Sequence, residues 1–307
     1  MATFNGTATD DILPLAGADN SGDDVFYGWG GNDVLYGGMG SDTLYGEMGD
    51  DLLVGGAGVD DLFGGFGSDT VSYADEGGFV NVDLAIGEAR ITYDIRLGTQ
   101  LADRLSEVEN VIGTARQDYL FGSDVANRLS GGGDDDRIGG RGGNDVLDGG
   151  DGNDVLDGGA GADLLQAGVG NDILFGSDGD DTLQGMAGND ELGRGAGKDT
   201  MLGGSGADRF VFQSVGESTP SAGLRDVIAD FSHADGDKID LSGIDANVNL
   251  AGDQAFEWSG VTPFYGVAGQ LHFTKGALEG DIDGDRVADF SIQMPNATVP
   301  LSVDLIL

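Results

Sequence analysis

Cysteine is absent from the 307 residues, and basic side chains are scarce, with 14 Lys and Arg against 55 Asp and Glu. Without cysteine, the chain can form no disulfide framework and has no thiol nucleophile. The net charge of −41 disfavours binding to the phosphates of nucleic acid, which recruit Lys and Arg, and simple docking on anionic lipid. The natural partners of so many carboxylates are cations.

Long apolar runs are also missing. No segment approaches the roughly 18 apolar residues that a membrane-spanning helix needs, so we expect no transmembrane segment. The first ten residues have neither a basic region nor an apolar core, and we therefore expect no Sec-type signal peptide.

Familiar catalytic patterns are lacking as well. The two histidines, His233 and His272, stand in unrelated contexts and do not form the H-E-x-x-H zinc motif. There is no G-x-S-x-G elbow and no P-loop. Counting acidic pairs does not exclude a carboxylate pair of the glycosidase type. We assign no catalytic residue and no organic-cofactor site, and we expect a protein that is not an enzyme.

Glycine, in contrast, is abundant, with 59 residues, and it follows a nine-residue period. Six nonapeptides run from Asp19 to Ser72, and eleven more run from Gly113 to Val211 without a slip. Each unit places an acidic residue at its sixth position and an apolar residue two places later. The acidic positions are Asp24, Asp33, Asp42, Asp51, Asp60, Asp69, Asp118, Asp136, Asp145, Asp154, Asp163, Asp172, Asp181, Asp190, Asp199 and Asp208, with Asn127 in the one remaining slot.

The pattern G-G-x-G-x-D-x-U-x, where U is a large apolar residue, is that of the RTX, or hemolysin-type, calcium-binding repeat. The resemblance implies an all-β fold, a right-handed parallel β-roll with Ca²⁺ between its coils. Each unit would supply a Gly-rich turn and an x-U-x strand of three residues, and two units would complete one coil. The sixteen aspartates would then be metal ligands, because Ca²⁺ takes six to eight oxygens.

Units that are two apart share one edge of such a roll, which gives at most 13 calcium sites. Several sites should be weak or empty because their turns are degenerate. Asn127 replaces the acidic residue, Val125, Arg116 and Asp134 replace the glycine two places before the acidic position, and Lys198 is adjacent to Asp199.

The rest of the chain lacks the period but keeps β character. Residues 79–84, 88–93 and 108–113 predict strands that continue or cap the roll. Beyond residue 211, residues 210–212, 226–231, 238–241 and 270–273 predict further strands. We therefore expect four regions, namely a cap with the first roll (1–72), an irregular β linker (73–112), the second roll (113–211) and a C-terminal region (212–307).

The C-terminal region resembles the C-terminal domain of serralysin-type metalloproteases in the amino-acid sequence of residues 206–212, 237–242 and 284–290. The final residues, Val303-Asp-Leu-Ile-Leu307, resemble their type I secretion signal, although a plain terminal strand would look similar. Residues 281–285 resemble the start of an EF-hand, but Arg286 and Ile292 replace its defining Gly and Glu, so a turn is the better interpretation.

The resemblance implies a secreted, extracellular protein that leaves the cell unfolded through a type I secretion apparatus and folds on external Ca²⁺. In layout the chain is also similar to small calcium-binding nodulation proteins of rhizobia, which implies a role at a cell or host surface, with a polysaccharide as one candidate partner. We expect cross-coil contacts between the aromatic side chains of the first array, Tyr27, Trp29, Tyr36 and Tyr45. A lower-ranked interpretation is that they form a platform for a sugar or another partner. Two alternatives stay open, an accessory module of a secreted protease or polysaccharide epimerase, and a relative of pore-forming or adhesive toxins.

Overall fold

A computed structural model describes residues 1–14, 19–92, 100–221 and 223–307 of the chain. These residues form β-strands and one short 3₁₀ segment, and they contain no α-helix. None of their helical segments has the length and apolar character needed to cross a membrane. The chain divides into two compact units, Met1–Asp151 and Gly152–Leu307, and each is a β-solenoid.

The first unit contains strands β1 to β16. Their bounds are β1 (Thr3–Asn5), β2 (Ile12–Leu13), β3 (Val25–Tyr27), β4 (Val34–Met39), β5 (Thr43–Met48), β6 (Leu52–Ala57), β7 (Asp61–Phe66), β8 (Thr70–Ser72), β9 (Phe79–Asp83), β10 (Glu88–Thr92), β11 (Gln100–Ser106), β12 (Asn110–Ile112), β13 (Tyr119–Phe121), β14 (Arg128–Gly133), β15 (Arg137–Gly139) and β16 (Val146–Asp151). In this unit one sheet has the order β1-β3-β5-β7-β11-β10-β9-β13-β15 and the other β2-β4-β6-β8-β12-β14-β16.

Parallel pairing within each array joins residues that are 18 positions apart. Leu35 pairs with Leu53 and Leu44 with Leu62, so alternate nonapeptides lie side by side in the same sheet. Two nonapeptides therefore make one coil, which confirms the predicted arrangement.

The strands are longer than predicted. A typical array strand such as Val34–Met39 has six residues, and only Gly40, Ser41 and Asp42 separate it from the next strand. The expected x-U-x triplet is thus wrong in length, because the first two glycines of the following unit extend the strand. The second of these glycines has a positive φ, +100° at Gly38 and +87° at Gly56, a conformation that side chains disfavour.

The linker supplies strands to both sheets. Strand β11 pairs in parallel with β7, then β10 and β9 follow in antiparallel order, and β9 pairs in parallel with β13. Strand β12 lies between β8 and β14 in the other sheet. The strand predictions for residues 79–84, 88–93 and 108–113 are confirmed by β9, β10 and β12, except that Tyr93 lies outside the described residues.

The second unit contains strands β17 to β30. Their bounds are β17 (Val155–Ala160), β18 (Leu164–Val169), β19 (Ile173–Asp178), β20 (Thr182–Ala187), β21 (Glu191–Ala196), β22 (Thr200–Ser205), β23 (Arg209–Val211), β24 (Val227–Ile228), β25 (Lys238–Asp240), β26 (Glu257–Trp258), β27 (Gln270–Thr274), β28 (Ala277–Asp281), β29 (Phe290–Gln293) and β30 (Leu305–Ile306), with a 3₁₀ segment at Ser302–Asp304. In this unit the sheet orders are β17-β19-β21-β23-β25-β30 and β18-β20-β22-β24-β29-β28-β27-β26.

The C-terminal region continues both sheets of the second unit. Strands β24 and β25 pair in parallel with the array strands β22 and β23. An antiparallel set, β27, β28 and β29, then extends one sheet, and β30 extends the other. All four strands predicted beyond residue 209 are present, but β26, β28, β29 and β30 have no counterpart among the predictions.

The interior of each array is a single file of apolar side chains. Every predicted apolar residue two places after the acidic position is at most 1% exposed, from Phe26 to Val71 and from Leu120 to Phe210. In the six-residue strands whose side chains are all described, the other inward position is a glycine, or Ala167 in one unit, so the core is thin. Burial of one large side chain per nonapeptide gives each array its hydrophobic stabilisation.

A column of aromatic rings runs along the outer face of the first array. Tyr27 stacks on Tyr45 with ring centroids 5.0 Å apart, and Tyr45 stacks on Phe63 at 4.8 Å. Trp29 stacks on Tyr27 at 5.9 Å. The expected cross-coil contacts are confirmed for Tyr27 and Tyr45, whereas Trp29 stacks within its own coil. Tyr36 belongs to the other sheet, where its partner is Val54.

Candidate metal centres

All sixteen predicted aspartates occupy equivalent places in the two units. Each comes immediately before an array strand, and each is buried, with at most 5% of its surface exposed. Burial of so many carboxylates is unusual, because an ionised group loses its hydration and needs a hydrogen-bond or ionic partner.

Within each unit, one carboxylate oxygen of a ladder aspartate accepts a hydrogen bond from the neighbouring coil. The backbone N–H of Asp24 donates to Oδ1 of Asp42 at 2.7 Å, and that of Asp42 donates to Oδ1 of Asp60 at 2.8 Å. In the second unit the N–H of Asp181 donates to Oδ1 of Asp199 at 3.0 Å. The same bond joins Asp33 to Asp51, Asp51 to Asp69, Asp118 to Asp136, Asn127 to Asp145, Asp154 to Asp172, Asp163 to Asp181, Asp172 to Asp190 and Asp190 to Asp208. Within each unit the ladders therefore follow the predicted 18-residue spacing.

The second carboxylate oxygen, Oδ2, is buried without a hydrogen-bond partner at many ladder positions. Among the described residues this holds for Asp33, Asp42, Asp51, Asp60, Asp69, Asp181, Asp190 and Asp208. An unsatisfied buried carboxylate oxygen costs several kcal/mol unless a cation or proton neutralises it. The ladder thus presents a row of oxygens that require positive charge.

At several ladder positions a backbone carbonyl approaches the same point as Oδ2. A Cβ built on Gly37 would lie 2.7 Å from Oδ2 of Asp42 and 2.5 Å from the carbonyl oxygen of Gly55 on the next coil. At Gly158 the corresponding distances are 2.5 Å to Oδ2 of Asp163 and 2.9 Å to the carbonyl oxygen of Gly176. Glycine keeps this space open, and the converging atoms are all oxygens, which suits the hard cation Ca²⁺.

The electrostatics agree with the geometry. Burial raises the pKa of Asp60 and of Asp181 to about 7. The hydrogen bond from the preceding coil lowers the pKa of each, and the charges of neighbouring carboxylates raise it further. Burial likewise raises the pKa to about 6 at Asp33, Asp42, Asp69, Asp190, Asp199 and Asp208. In the absence of a cation, the ladder therefore binds protons more readily than ordinary aspartates do.

At two ladder positions, hydrogen bonds within the protein satisfy the side-chain polar atoms without a cation. The side-chain amide of Asn127 donates from Nδ2 to the carbonyl oxygen of Glu109 at 2.7 Å, and its Oδ1 accepts from the N–H of Ser123 at 2.7 Å. Oδ2 of Asp118 accepts from the N–H of Thr114 at 2.5 Å, and its Oδ1 accepts from the N–H of Val80 at 2.7 Å. These contacts satisfy the side-chain oxygens of both residues within the protein, and weak calcium binding at these two positions stays a prediction.

The ladders extend beyond the nonapeptides to acidic residues that the sequence analysis missed. Asp103, Glu109, Asp226 and Asp237 accept from the backbone N–H groups of Asp60, Asp69, Asp199 and Asp208, at 2.9, 2.9, 2.9 and 3.1 Å respectively. At the other end, the N–H of Asp11 donates to Oδ1 of Asp33 at 2.7 Å. Each of these five acidic residues is followed two places later by a buried apolar residue, and that three-residue signal could have identified them.

A second, exposed ladder runs through the residues that precede several of the aspartates. The N–H of Asn171 donates to Oδ1 of Asn153 at 2.9 Å, and the N–H of Asn189 donates to Oδ1 of Asn171 at 2.9 Å. Its direction is opposite to that of the aspartate ladder, because here the later residue is the donor. These side chains stabilise the turns from the solvent side.

One further acidic cluster is present among the described residues, formed by Asp281, Asp283 and Asp285. Asp281 is fully buried, but its oxygens accept from the N–H groups of Gly284 at 2.6 Å and Arg286 at 3.0 Å. Oδ1 of Asp283 accepts from the N–H of Asp285 at 2.9 Å. This pattern favours the predicted turn.

The two histidines stand apart from the ladders and bind acidic partners. Nδ1 of His233 lies 2.7 Å from Oδ1 of Asp304, and Nε2 of His272 lies 3.1 Å from Oε2 of Glu279. His272 is buried against the ring of Phe264, at 4.1 Å between centroids. Both histidines have structural contacts within the C-terminal region.

Comparison with known proteins identifies the repeats. The family described as RTX calcium-binding nonapeptide repeat (4 copies) matches residues 18–44, 36–71, 112–147, 130–165, 139–174, 166–201 and 175–210, which coincide with the two arrays. No curated protein matches the chain. The chain is similar to the solution structure of the AlgE6R3 subunit from the Azotobacter vinelandii mannuronan C5-epimerase, at 23% sequence identity and a TM-score of 0.35, over 48% of this chain and 80% of that chain.

Proposed function

The chain belongs to the RTX calcium-binding repeat proteins, and from that premise we propose that Ca²⁺ binding to the aspartate ladders drives its folding outside the cell. The observation that carries the proposal is the row of buried Oδ2 atoms that lack hydrogen-bond partners. At Asp33, Asp42, Asp51 and Asp190 a glycine separates this oxygen from a backbone carbonyl of the neighbouring coil. A divalent cation at that point would neutralise the carboxylate and bind both coils.

Metal binding and folding are one process in this proposal. The oxygens of a site come from residues 18 positions apart, so the site does not exist in the unfolded chain. The free energy of Ca²⁺ binding is then free energy of folding. At low Ca²⁺ the net charge of −41 opposes compaction, and at high Ca²⁺ bound ions offset it.

The proposal assigns calcium to the sixteen predicted aspartates, with Asp118 as the weakest, because its oxygens are already bonded to its own turn. The sites in residues 1–72 and 113–211 would fold the two rolls. Residues 73–112 and 212–307 would connect and cap them. The sequence gives a maximum of 13 ions. We expect fewer, because the side chains of Asn127 and Asp118 are already hydrogen-bonded within the protein.

A matched pair of variants tests the ligand assignment. Asp181→Asn removes the charge of a buried ladder residue, whereas Asp180→Asn removes the charge of its exposed neighbour, which accepts from the N–H of Lys198 at 2.9 Å. We expect calorimetric titration to show fewer tightly bound Ca²⁺ ions in Asp181→Asn and an unchanged number in Asp180→Asn. Equal numbers in both variants and the parent chain would contradict the ladder assignment.

Secretion is the second part of the proposal. The terminal residues, an acidic residue followed by apolar ones, support type I export, as does the need of the repeats for extracellular Ca²⁺. In the folded chain Asp304 is buried and β30 pairs with β25, so these residues would be accessible to an exporter before folding. A variant lacking residues 303–307 should remain inside cells that carry a type I exporter, and its export at the parent level would contradict this part.

The non-enzymatic part of the proposal places the folded protein at a cell or host surface as a binding or structural component. It is supported by the commitment of the ladder carboxylates to backbone N–H groups and to calcium, and by the structural contacts of both histidines. An assay of the calcium-loaded chain on polysaccharide and peptide substrates should detect no turnover, and turnover that tracks the chain through purification would overturn this part.

A further inference from the structure

The first aspartate ladder continues into the linker at Asp103, outside both arrays. The N–H of Asp60 donates to Oδ1 of Asp103 at 2.9 Å, and the N–H of Arg104 donates to the carbonyl oxygen of Asp60 at 2.9 Å. These are the same two bonds that join successive ladder aspartates within an array. Here, however, the two aspartates are 43 residues apart.

Three buried oxygens at this junction have no hydrogen-bond partner among the described residues. They are Oδ2 of Asp60, Oδ2 of Asp103 and the hydroxyl oxygen of Tyr73. The three side chains belong to residues that are 0%, 1% and 3% exposed. Two carboxylates and a phenol therefore share a dry environment in which none of these three oxygens has a hydrogen bond of normal geometry.

The charges at the junction are closely coupled. Burial, followed by the charges of Asp103 and Asp60, raises the pKa of Tyr73 well above its ordinary value, so the phenol keeps its proton. The Tyr73 hydroxyl is close enough to Asp103 for a hydrogen-bonding interaction that raises the pKa of the phenol and lowers that of the carboxyl, although no hydrogen bond of normal geometry forms between them. Glu76 contributes negative charge that raises the pKa of both aspartates, to about 7 at Asp60 and about 6 at Asp103, where burial is the main cause.

We infer that Asp60, Asp103 and the Tyr73 hydroxyl form an additional Ca²⁺ site, which attaches the linker to the first roll. The inference rests on the proposed calcium-dependent function and adds a site whose ligands lie partly outside the nonapeptides. All three ligand atoms are oxygens, two of them anionic, which favours Ca²⁺ over metals that prefer nitrogen or sulfur. Glu76 would add to the attraction for the cation.

The site would have a structural consequence. Strand β11 enters the sheet next to β7 only after the chain has passed through the linker strands β9 and β10. A cation between Asp60 and Asp103 would hold both ends of that excursion together and offset the entropy of closing it. The linker would therefore join the roll when this site fills.

Crystallography of the calcium-loaded protein tests the site directly. We expect an anomalous calcium peak about 2.3–2.6 Å from Oδ2 of both Asp60 and Asp103. Peaks along the array ladders with none at this junction would overturn the inference and leave the proposed function intact. A complete absence of calcium peaks would overturn both.

Two variants provide an independent readout in solution. Asp103→Asn retains an oxygen for the N–H of Asp60 but removes the charge, and it should bind one Ca²⁺ ion fewer per chain. Tyr73→Phe removes only the hydroxyl and should weaken one site by about tenfold, whereas Tyr36→Phe, which alters a side chain in a 41%-exposed residue, should leave binding unchanged. If Tyr73→Phe folds and binds calcium as tightly and in the same number as Tyr36→Phe, the hydroxyl is not a ligand, and the inferred site is wrong.

Discussion

At the scale of single residues, the two oxygens of a ladder carboxylate have different surroundings. Oδ1 accepts a hydrogen bond from the neighbouring coil, as in the 2.7 Å contact from the N–H of Asp33 to Oδ1 of Asp51. Oδ2 of Asp51 faces Gly46, the first glycine of the same unit, and has no hydrogen-bond partner. The first oxygen positions the side chain, and the second is available for a cation.

Glycine at the first position of a unit should be essential for tight binding. In Gly158→Ala the new methyl group would occupy the point between Oδ2 of Asp163 and the carbonyl oxygen of Gly176. We expect calorimetry to show at least one tight Ca²⁺ site weakened by about tenfold or more. The reverse change at the equivalent position, Ala167→Gly, should preserve or strengthen binding. Unaltered binding in Gly158→Ala would contradict the assigned cation position.

At the scale of elements, the repeat allowed most of each array to be predicted. The period fixed the acidic residue, the buried apolar residue and the pairing of alternate units, because a sheet tolerates no change of register without exposing its core. The strand length was underestimated, because the first glycine of a unit is typical of a turn in the sequence. In the structure this glycine belongs to the strand, and Gly37 faces inward. Asp103 was missed because it is out of phase with the nine-residue period and lies 43 residues from Asp60, which only the folded chain brings beside it. Asp226 keeps the nine-residue phase, 27 residues after Asp199, but it lies beyond the last Gly-rich unit.

A single buried side chain per strand should dominate the stability of each coil. Leu156 in β17 is fully buried, and its replacement by Ala should lower the free energy of unfolding by about 2–5 kcal/mol at saturating Ca²⁺. Val169 in β18 is 57% exposed, and Val169→Ala should change it by less than about 0.5 kcal/mol. Denaturant unfolding measures both changes. Similar small effects in the two variants would contradict the single-file core.

At the scale of the whole molecule, the charge of −41 makes folding depend on what neutralises the buried carboxylates. In the metal-free fold, burial raises the pKa to about 6 at Asp33 and to about 7 at Asp181, and it raises the pKa of Asp226 to about 8. These pKa values in the folded chain exceed the ordinary aspartate value of 3.8. The metal-free fold is therefore most stable at low pH, and it loses stability as the pH rises from about 4 to about 8. Protons and Ca²⁺ are therefore alternative ways of neutralising the same oxygens.

The pH dependence should reverse when calcium is present. In metal-free buffer, lowering the pH from about 8 to about 5 should increase the β content measured by circular dichroism, because the buried carboxylates become protonated. At limiting Ca²⁺ the same change should reduce calcium binding, because protons compete for the ligands. A metal-free chain whose β content is constant or falls across this range would contradict the expected pKa elevation.

The central claim is that calcium binding and folding are the same event, and a titration of metal-free protein at neutral pH tests it most directly. Bound Ca²⁺ is followed by calorimetry and β content by circular dichroism under identical conditions. The account predicts little β structure in excess chelator and a rise in β content that coincides with ion binding, with Mg²⁺ far less effective. A spectrum that is equally rich in β structure in chelator and in saturating Ca²⁺ would contradict it.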